Sequence, residues 1–168
     1  IKVNVGPASK TKGFFKYDLK SDTLEQVIPL DLNAQIRSAV PFGDAVLYVD
    51  YAEKDESLEW TVVHFENGVK QDLRSGTCAG YEDLPELSVL EGSPVILWKD
   101  SKKETFGLEI FDGADLSEIE LPKDQNLVST DSACNTKEIC FLTKNDAGDA
   151  RFLIVGKNGE IGSVTMEG

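Results

Sequence analysis

The segment FENGVKQDL at residues 65–73 places the turn dipeptide Asn67-Gly68 between two stretches in which apolar and polar residues alternate. Asn-Gly tolerates the positive φ angles that a two-residue hairpin turn imposes, so this segment predicts a β-hairpin. A second segment of the same kind, GKNGEIGSV, occupies residues 156–164. The recurrence of one hairpin pattern suggests a unit that is repeated along the chain.

Four hairpins of this kind follow one another at nearly equal intervals. The first apolar residues after their turns are Leu24, Val69, Leu116 and Ile161, at intervals of 45, 47 and 45 residues. Runs rich in β-branched and aromatic residues precede each turn, and no segment keeps the apolar spacing of an amphipathic helix over three turns. The sequence therefore predicts an all-β protein.

Each hairpin is the outer half of a larger unit. One strand precedes the hairpin in all four units, and a further, weaker strand comes first in the last three. Four antiparallel strands at a period of about 46 residues are typical of a β-propeller blade. At this level the chain resembles the β-propeller repeat proteins over essentially all its residues. A two-layer β-sandwich is the competing fold, but it requires no such period.

The resemblance implies a β-propeller of four blades, or a four-blade segment of a larger propeller, in one domain over residues 1–168. The blades are expected at approximately 1–30, 36–73, 84–121 and 127–167. The first blade lacks an innermost strand, and folded proteins normally cover such an unpaired edge. Three arrangements remain open: a closed four-bladed ring, a propeller completed by a second polypeptide, and a homodimer of eight blades.

The charge of the chain excludes some classes of partner. It has 30 acidic and 17 basic residues, a net charge of −13. Binding to nucleic acid or to anionic lipid depends on Lys and Arg displacing counterions, so we expect neither partner. No apolar run approaches the roughly 20 residues that a membrane span requires. Basic proteins or cations are compatible with this charge, and the alternative is that the charge only keeps a β-rich surface soluble. We expect a protein partner or a second polypeptide that completes the propeller.

The candidate binding surface is the loop face, formed in propellers by the loops between blades and the loops between second and third strands. The longest inter-blade loop is predicted at 74–85, and one loop between second and third strands is predicted at 52–59. Long loops in compact repeats often carry function. The alternative is a covering loop that plugs the channel or shields an edge. The binding residues predicted on this face are Arg74, Cys78, Tyr81, Glu82, Asp83, Lys102 and Lys103.

A calcium site is one hypothesis for the segment KNDAGDA at 144–150. Asn145, Asp146 and Asp149 surround Gly148, and oxygen ligands on a tight loop suit a hard cation such as Ca²⁺. The pattern lacks the EF-hand frame, and an ordinary solvated turn is the alternative. No other cofactor is predicted.

Cys134 and Cys140 lie six positions apart, at the ends of a predicted hairpin. In that arrangement the two residues would face each other within disulfide reach. The alternative is that all three cysteines of the chain, including Cys78, are reduced. A disulfide would favour a secreted or extracytoplasmic protein.

Enzymatic activity is the alternative to a binding function. No catalytic residue is predicted, because the chain has neither a Gly-x-Ser-x-Gly motif nor a glycine-rich phosphate loop. A glycosidase-like or lyase-like propeller using acidic residues at the channel mouth remains open, as does a carbohydrate-binding lectin. Trp60 and Trp98 are expected to pack between blades, and they fall on non-equivalent strands, which argues against repeated sugar pockets.

Overall fold

The computed structural model describes residues 2–3, 12–30 and 35–165. It is an all-β structure with four antiparallel sheets, and in each sheet the strands follow chain order. The chain divides into two compact units, residues 1–35 and 36–168. Within the described residues no helix has the length and apolar character needed to cross a bilayer. The prediction of an all-β protein is confirmed.

Sheet 1, in the first unit, has three described strands. They are β1 (Lys2–Val3), β2 (Lys12–Asp18) and β3 (Thr23–Leu30). Sheet 2 begins the second unit and contains β4 (Gln35–Phe42), β5 (Ala45–Lys54), β6 (Ser57–Glu66) and β7 (Val69–Cys78).

Sheets 3 and 4 each have four strands. Sheet 3 consists of β8 (Glu86–Leu90), β9 (Ser93–Asp100), β10 (Thr105–Phe111) and β11 (Leu116–Ile119). Sheet 4 consists of β12 (Gln125–Cys134), β13 (Glu138–Asn145), β14 (Ala150–Gly156) and β15 (Gly159–Thr165). A short 3₁₀ turn, Tyr81–Asp83, lies between sheets 2 and 3 in the sequence.

The two hairpins that suggested a repeat are both present. Asn67 and Gly68 connect β6 to β7 with φ angles of 51° and 82°, values that this dipeptide accepts at little cost. The corresponding turn between β14 and β15 has Lys157 and Asn158 at its centre, and Gly159 follows with φ 111°. The two turns therefore join equivalent strands but differ in turn type.

Two predicted loops are wrong in extent. Strand β7 continues through Cys78, so the first five residues of the predicted loop 74–85 are strand and only 79–85 connects the sheets. The predicted loop 52–59 reduces to a two-residue turn, because β5 runs to Lys54 and β6 starts at Ser57, with Asp55 at φ 55°. In both cases polar residues were interpreted as a loop where the strand pairing continues.

Sheets 2, 3 and 4 stack face to face. Alternate residues of a strand point to opposite faces, and β9 is apolar on both. Ile96 and Trp98 pack in a cluster with sheet 2, whereas Val95 and Leu97 pack in a cluster with sheet 4. Sheet 3 is therefore the middle layer, buried on both of its faces.

Candidate functional site

The loop face is the end of the stacked sheets that carries segment 79–85 and the turns between second and third strands. Tyr81, in the 3₁₀ turn, is half exposed and donates a hydrogen bond to Glu53 of β5. Its ring meets Tyr51 edge to face, with 5.8 Å between centroids. The hydrogen bond to Glu53 raises the pKa of the Tyr81 hydroxyl, because the neighbouring carboxylate disfavours a phenolate.

Segment 79–85 is also tied to sheets 3 and 4. The Lys99 ammonium lies 2.9 Å from a carboxylate oxygen of Asp83, which is buried. The buried Thr130 hydroxyl of β12 lies 2.9 Å from the carbonyl oxygen of Glu82 and 2.5 Å from that of Leu84. The segment therefore contacts sheets 2, 3 and 4 at this end and leaves Tyr81 and Glu82 exposed on its surface.

Cys78, predicted as a loop residue, is buried at the end of β7 with 1% of its surface exposed. Its thiol donates to the carbonyl of Gly80 at 3.4 Å. Burial, together with the nearby carboxylates of Asp83 and Glu82, raises the pKa of the thiol to about 11. A thiol of this kind is protonated at neutral pH and packs as a small apolar group rather than reacting as a nucleophile.

Arg74, also predicted as a loop residue, lies within β7 and reaches across to sheet 3. Its guanidinium stacks 3.6 Å from the centroid of the Trp98 ring and lies 2.5 Å from a carboxylate oxygen of Glu109 in β10. Burial raises the pKa of Glu109, and the positive charge of Arg74 opposes this rise. Arg74 therefore connects sheets 2 and 3 by packing and ion pairing. Its predicted position in a loop did not indicate this role.

Lys102 and Lys103 are exposed in the turn between β9 and β10, as predicted. The buried carboxylate of Asp100 accepts hydrogen bonds from the backbone amides of both lysines and from the Thr77 hydroxyl. Its second oxygen lies 3.2 Å from the Lys103 ammonium. Burial alone would raise the pKa of Asp100, but the hydrogen bonds from Lys103 and Lys102 outweigh it and lower the pKa. Asp100 therefore holds the backbone of the turn, and Lys102 is exposed without an ion pair among the described residues.

A cleft of about 340 Å³ opens beside this turn, between sheets 2 and 3. Its lining includes Glu59, Trp60 and Thr77 of sheet 2 and Lys102 and Lys103 of sheet 3. The hydrogen bond from Lys54, whose ammonium lies 2.8 Å from a carboxylate oxygen of Glu59, lowers the pKa of Glu59, and the positive charge of Lys102 adds a smaller effect. Lys102 makes no ion pair within the described residues. One wall of the cleft therefore carries the Glu59 carboxylate, paired with Lys54, and the other carries the unpaired Lys102.

The turn at 144–150 is closed by its own side chains. Asn145 accepts a hydrogen bond from the Asp149 amide at 2.8 Å and donates one to the Asp149 carboxylate at 3.0 Å. Asp146 instead accepts from Asn126 of β12 at 3.1 Å. Among the described residues no cluster of three or more His, Cys, Asp and Glu side chains could hold a metal ion. The calcium site stays a prediction.

The predicted disulfide between Cys134 and Cys140 is not formed, and all three cysteines are free. In the β12–β13 pairing Cys140 lies opposite Ala133, one residue before Cys134. Since neighbouring residues of a strand point to opposite faces, the two thiols lie on different sides of sheet 4. A shift of one position in register therefore overturns the predicted pairing.

One cluster was missed by the sequence analysis. Arg37 of β4 lies 3.8 Å from a carboxylate oxygen of Glu86 in β8 and 3.3 Å from one of Asp131 in β12. Burial raises the pKa of Glu86, Arg37 lowers it and Asp131 adds to the rise. One guanidinium thus bridges the first strands of three sheets. In the sequence, all three residues fall on the predicted first strand of their units, which is the pattern that could have indicated this cluster.

Comparison of the chain with family models, with curated proteins and with solved structures finds no match. Three features of the structure bear on function: a loop face with exposed charged and aromatic side chains, a charged cleft between sheets 2 and 3, and the Arg37 cluster on the first strands.

Proposed function

We propose that the chain forms four consecutive blades of a β-propeller. Two features of sheets 2–4 support this. Their faces stack in one direction with the middle sheet buried on both sides, and their first strands converge closely enough for Arg37 to contact both Glu86 and Asp131. In a stack of parallel layers, neighbouring sheets stay about 10 Å apart along their whole width. Sheets whose first strands come closer together than this are instead arranged as wedges around an axis, as the blades of a propeller are.

On this fold, the chain acts as a binding module that recognises a protein partner through its loop face. The observation that carries this is the cleft between sheets 2 and 3, which has Glu59 on one wall and Lys102 on the other. Charges of both signs at the rim of a recognition surface favour a partner with the complementary pattern and speed its encounter. The underlying turn is held by buried Asp100, so the surface is preformed.

The enzyme alternative is supported by one observation, the raised pKa of Glu86 beside Asp131. A glycosidase needs two carboxylates that act on opposite sides of one bond. Here Arg37 contacts both carboxylates, which favours an ion-pair role at the propeller axis. The lectin alternative is weakened because Trp60 and Trp98 are only 2% and 8% exposed, so neither indole face is open to a sugar ring.

A charge-reversal comparison tests the loop face. Lys102→Glu reverses a charge on the cleft, whereas the matched control Lys137→Glu reverses an exposed lysine in the turn between β12 and β13, at the opposite end of the strands. We expect proteins from an extract of the source cells that bind the unmodified chain and the control to be lost, or weakened about tenfold, with Lys102→Glu. Identical sets of bound proteins for all three chains would contradict the proposal.

The propeller is tested separately by a crystal structure of the chain. We expect the first strands of sheets 2, 3 and 4 to surround one pseudosymmetry axis, with Arg37 close to it. Sheets related by translation alone, without a rotation between neighbours, would contradict the fold while leaving the loop-face experiment valid.

A further inference from the structure

The stack of sheets 2, 3 and 4 repeats one contact and then stops at sheet 4. In each sheet, an apolar residue of the second strand pairs with one of the third strand on the face directed along the stack from sheet 2 toward sheet 4. The pairs are Val49 with Val62 in sheet 2, Leu97 with Leu108 in sheet 3, and Leu142 with Phe152 in sheet 4. The first pair packs on sheet 3 and the second on sheet 4. Neither sheet 2 nor sheet 3 covers the third pair.

The third pair belongs to an apolar face, called here the sheet 4 face, made of Cys140, Leu142, Phe152, Ile154 and Val164. These residues share one side because Phe152 pairs with both Leu142 and Val164, and Ile154 pairs with Cys140. Phe152 is 39% exposed and Val164 56%, whereas the first two pairs are fully buried. By its position in the repeat, this face is one onto which a further sheet packs.

The two ends of the sheet 4 face carry opposite charges. Glu138 and Lys144 lie at the ends of β13, on the same side as Cys140 and Leu142. They are six positions apart along the strand, a distance of about 20 Å. Among the residues that the structure describes, exposed Lys144 makes no ion pair and Glu138 accepts only a 3.4 Å hydrogen bond from Asn135. A complementary partner surface must be apolar in the middle, with a negative charge opposite Lys144 and a positive charge opposite Glu138.

A second copy of this chain has that pattern. When two copies of the face meet across a two-fold axis that lies between the faces and runs perpendicular to the strands, the apolar centres face each other and Lys144 of each copy lies opposite Glu138 of the other. We propose that the chain forms a symmetric dimer through the sheet 4 face. This inference goes beyond the loop-face proposal and does not depend on it, because Lys102 and the cleft lie outside this face.

Sedimentation velocity of the purified chain tests the dimer over about a hundredfold range of concentration. We expect a concentration-dependent dimer that Phe152→Glu weakens about a hundredfold or more, because two unpaired carboxylates would enter the apolar centre. The matched control is Val69→Glu, which changes an exposed apolar residue of sheet 2 and leaves the dimer unchanged. Lys102→Glu leaves it unchanged as well.

Charge exchange provides a second test that does not disturb the apolar centre. Lys144→Glu and Glu138→Lys each place like charges opposite each other in the dimer, and each should weaken it about tenfold. The double exchange restores opposite charges and should recover the original dissociation constant. Both residues are partly or fully exposed, so the variants are expected to fold.

The reactivity of the Cys140 thiol locates the contact. Cys140 lies on the sheet 4 face and Cys134 on the other side of the sheet, so alkylation of Cys140 should slow with rising protein concentration while that of Cys134 does not. A chain that remains monomeric throughout overturns the proposal. If the dissociation constant of the dimer is unchanged by Phe152→Glu and by the charge-reversal variants, the dimer forms through another surface.

Discussion

Replacing Gly76 with alanine should destabilise the fold, because no space exists there for a Cβ atom. Gly76 pairs with Trp60 across β6 and β7, and an added Cβ would lie 2.4 Å from Cζ2 and 2.9 Å from Cε2 of the indole. Carbon atoms in favourable contact are about 3.5–4.0 Å apart. Trp60 is 2% exposed and its ring lies 6.5 Å from that of Trp98, so it cannot move away from the added Cβ without disturbing this packing.

The magnitude follows from two opposing effects. Overpacking of a buried site costs about 1–3 kcal/mol, and here the overlap exceeds 1 Å, which places the cost at the upper end of that range. Alanine also lowers the conformational entropy of the unfolded chain, which offsets about 0.4–1 kcal/mol. We expect Gly76→Ala to lose about 2 kcal/mol of unfolding free energy and about 4–8 °C in Tm, measured by urea and thermal unfolding.

Gly162→Ala is the matched control. Gly162 lies in β15, the fourth strand of its sheet as β7 is of sheet 2, and an added Cβ there meets nothing within 4 Å. Its stability should be unchanged or slightly raised. In addition, Gly76→Ala should cost much less when Trp60 is already phenylalanine, since the overlapping ring carbons are then gone. Equal stability of Gly76→Ala and Gly162→Ala would refute the reasoning.

Two further predictions concern the buried ionisable groups. Arg74→Ala leaves the Glu109 carboxylate buried without its cation and should cost about 3 kcal/mol of unfolding free energy at pH 7. Burial raises the folded-state pKa of Glu109, so protonation of this carboxylate relieves the penalty. The loss of stability, measured by urea unfolding, should therefore shrink as the pH falls toward 4.5. A deficit that does not vary with pH would contradict this account. Alkylation of Cys78 in the native chain should be the slowest of the three cysteines and should accelerate only near its pKa of about 11, and fast labelling at neutral pH would show that the thiol is not buried.

The repeated hairpins could be predicted because their determinants are local. Asn67 and Gly68 supply positive φ angles by their own chemistry, and the alternation around them fixes which face is apolar. Lys102 and Lys103 could be placed in an exposed turn for the same reason. Such features need only a few neighbouring residues, so a single sequence contains the whole signal.

The end of β7 could not be predicted, because its determinants lie in other strands. The segment from Arg74 to Cys78 is polar and contains glycine, which is typical of a loop. In the structure Gly76 is required by the Trp60 ring, and Arg74 is held by Trp98 and Glu109 of the next sheet. The Cys134 and Cys140 pairing failed similarly, since a register of one residue depends on the whole strand pair.

Charge, rather than apolar pattern, distinguishes one sheet boundary from another in this chain. The apolar rows of successive sheets are built alike, so they alone would accept several partners. Between sheets 2 and 3, Arg74 pairs with Glu109 near the outer strands and Arg37 reaches sheet 3 near the first strands, so a slipped or exchanged sheet would leave half-buried charges without partners. The sheet 4 face also has charged residues beside its apolar residues, with Lys144 and Glu138 at its ends. Phe152 between them contributes apolar contact that many surfaces could meet, so these two charges select among the apolar surfaces that could cover it.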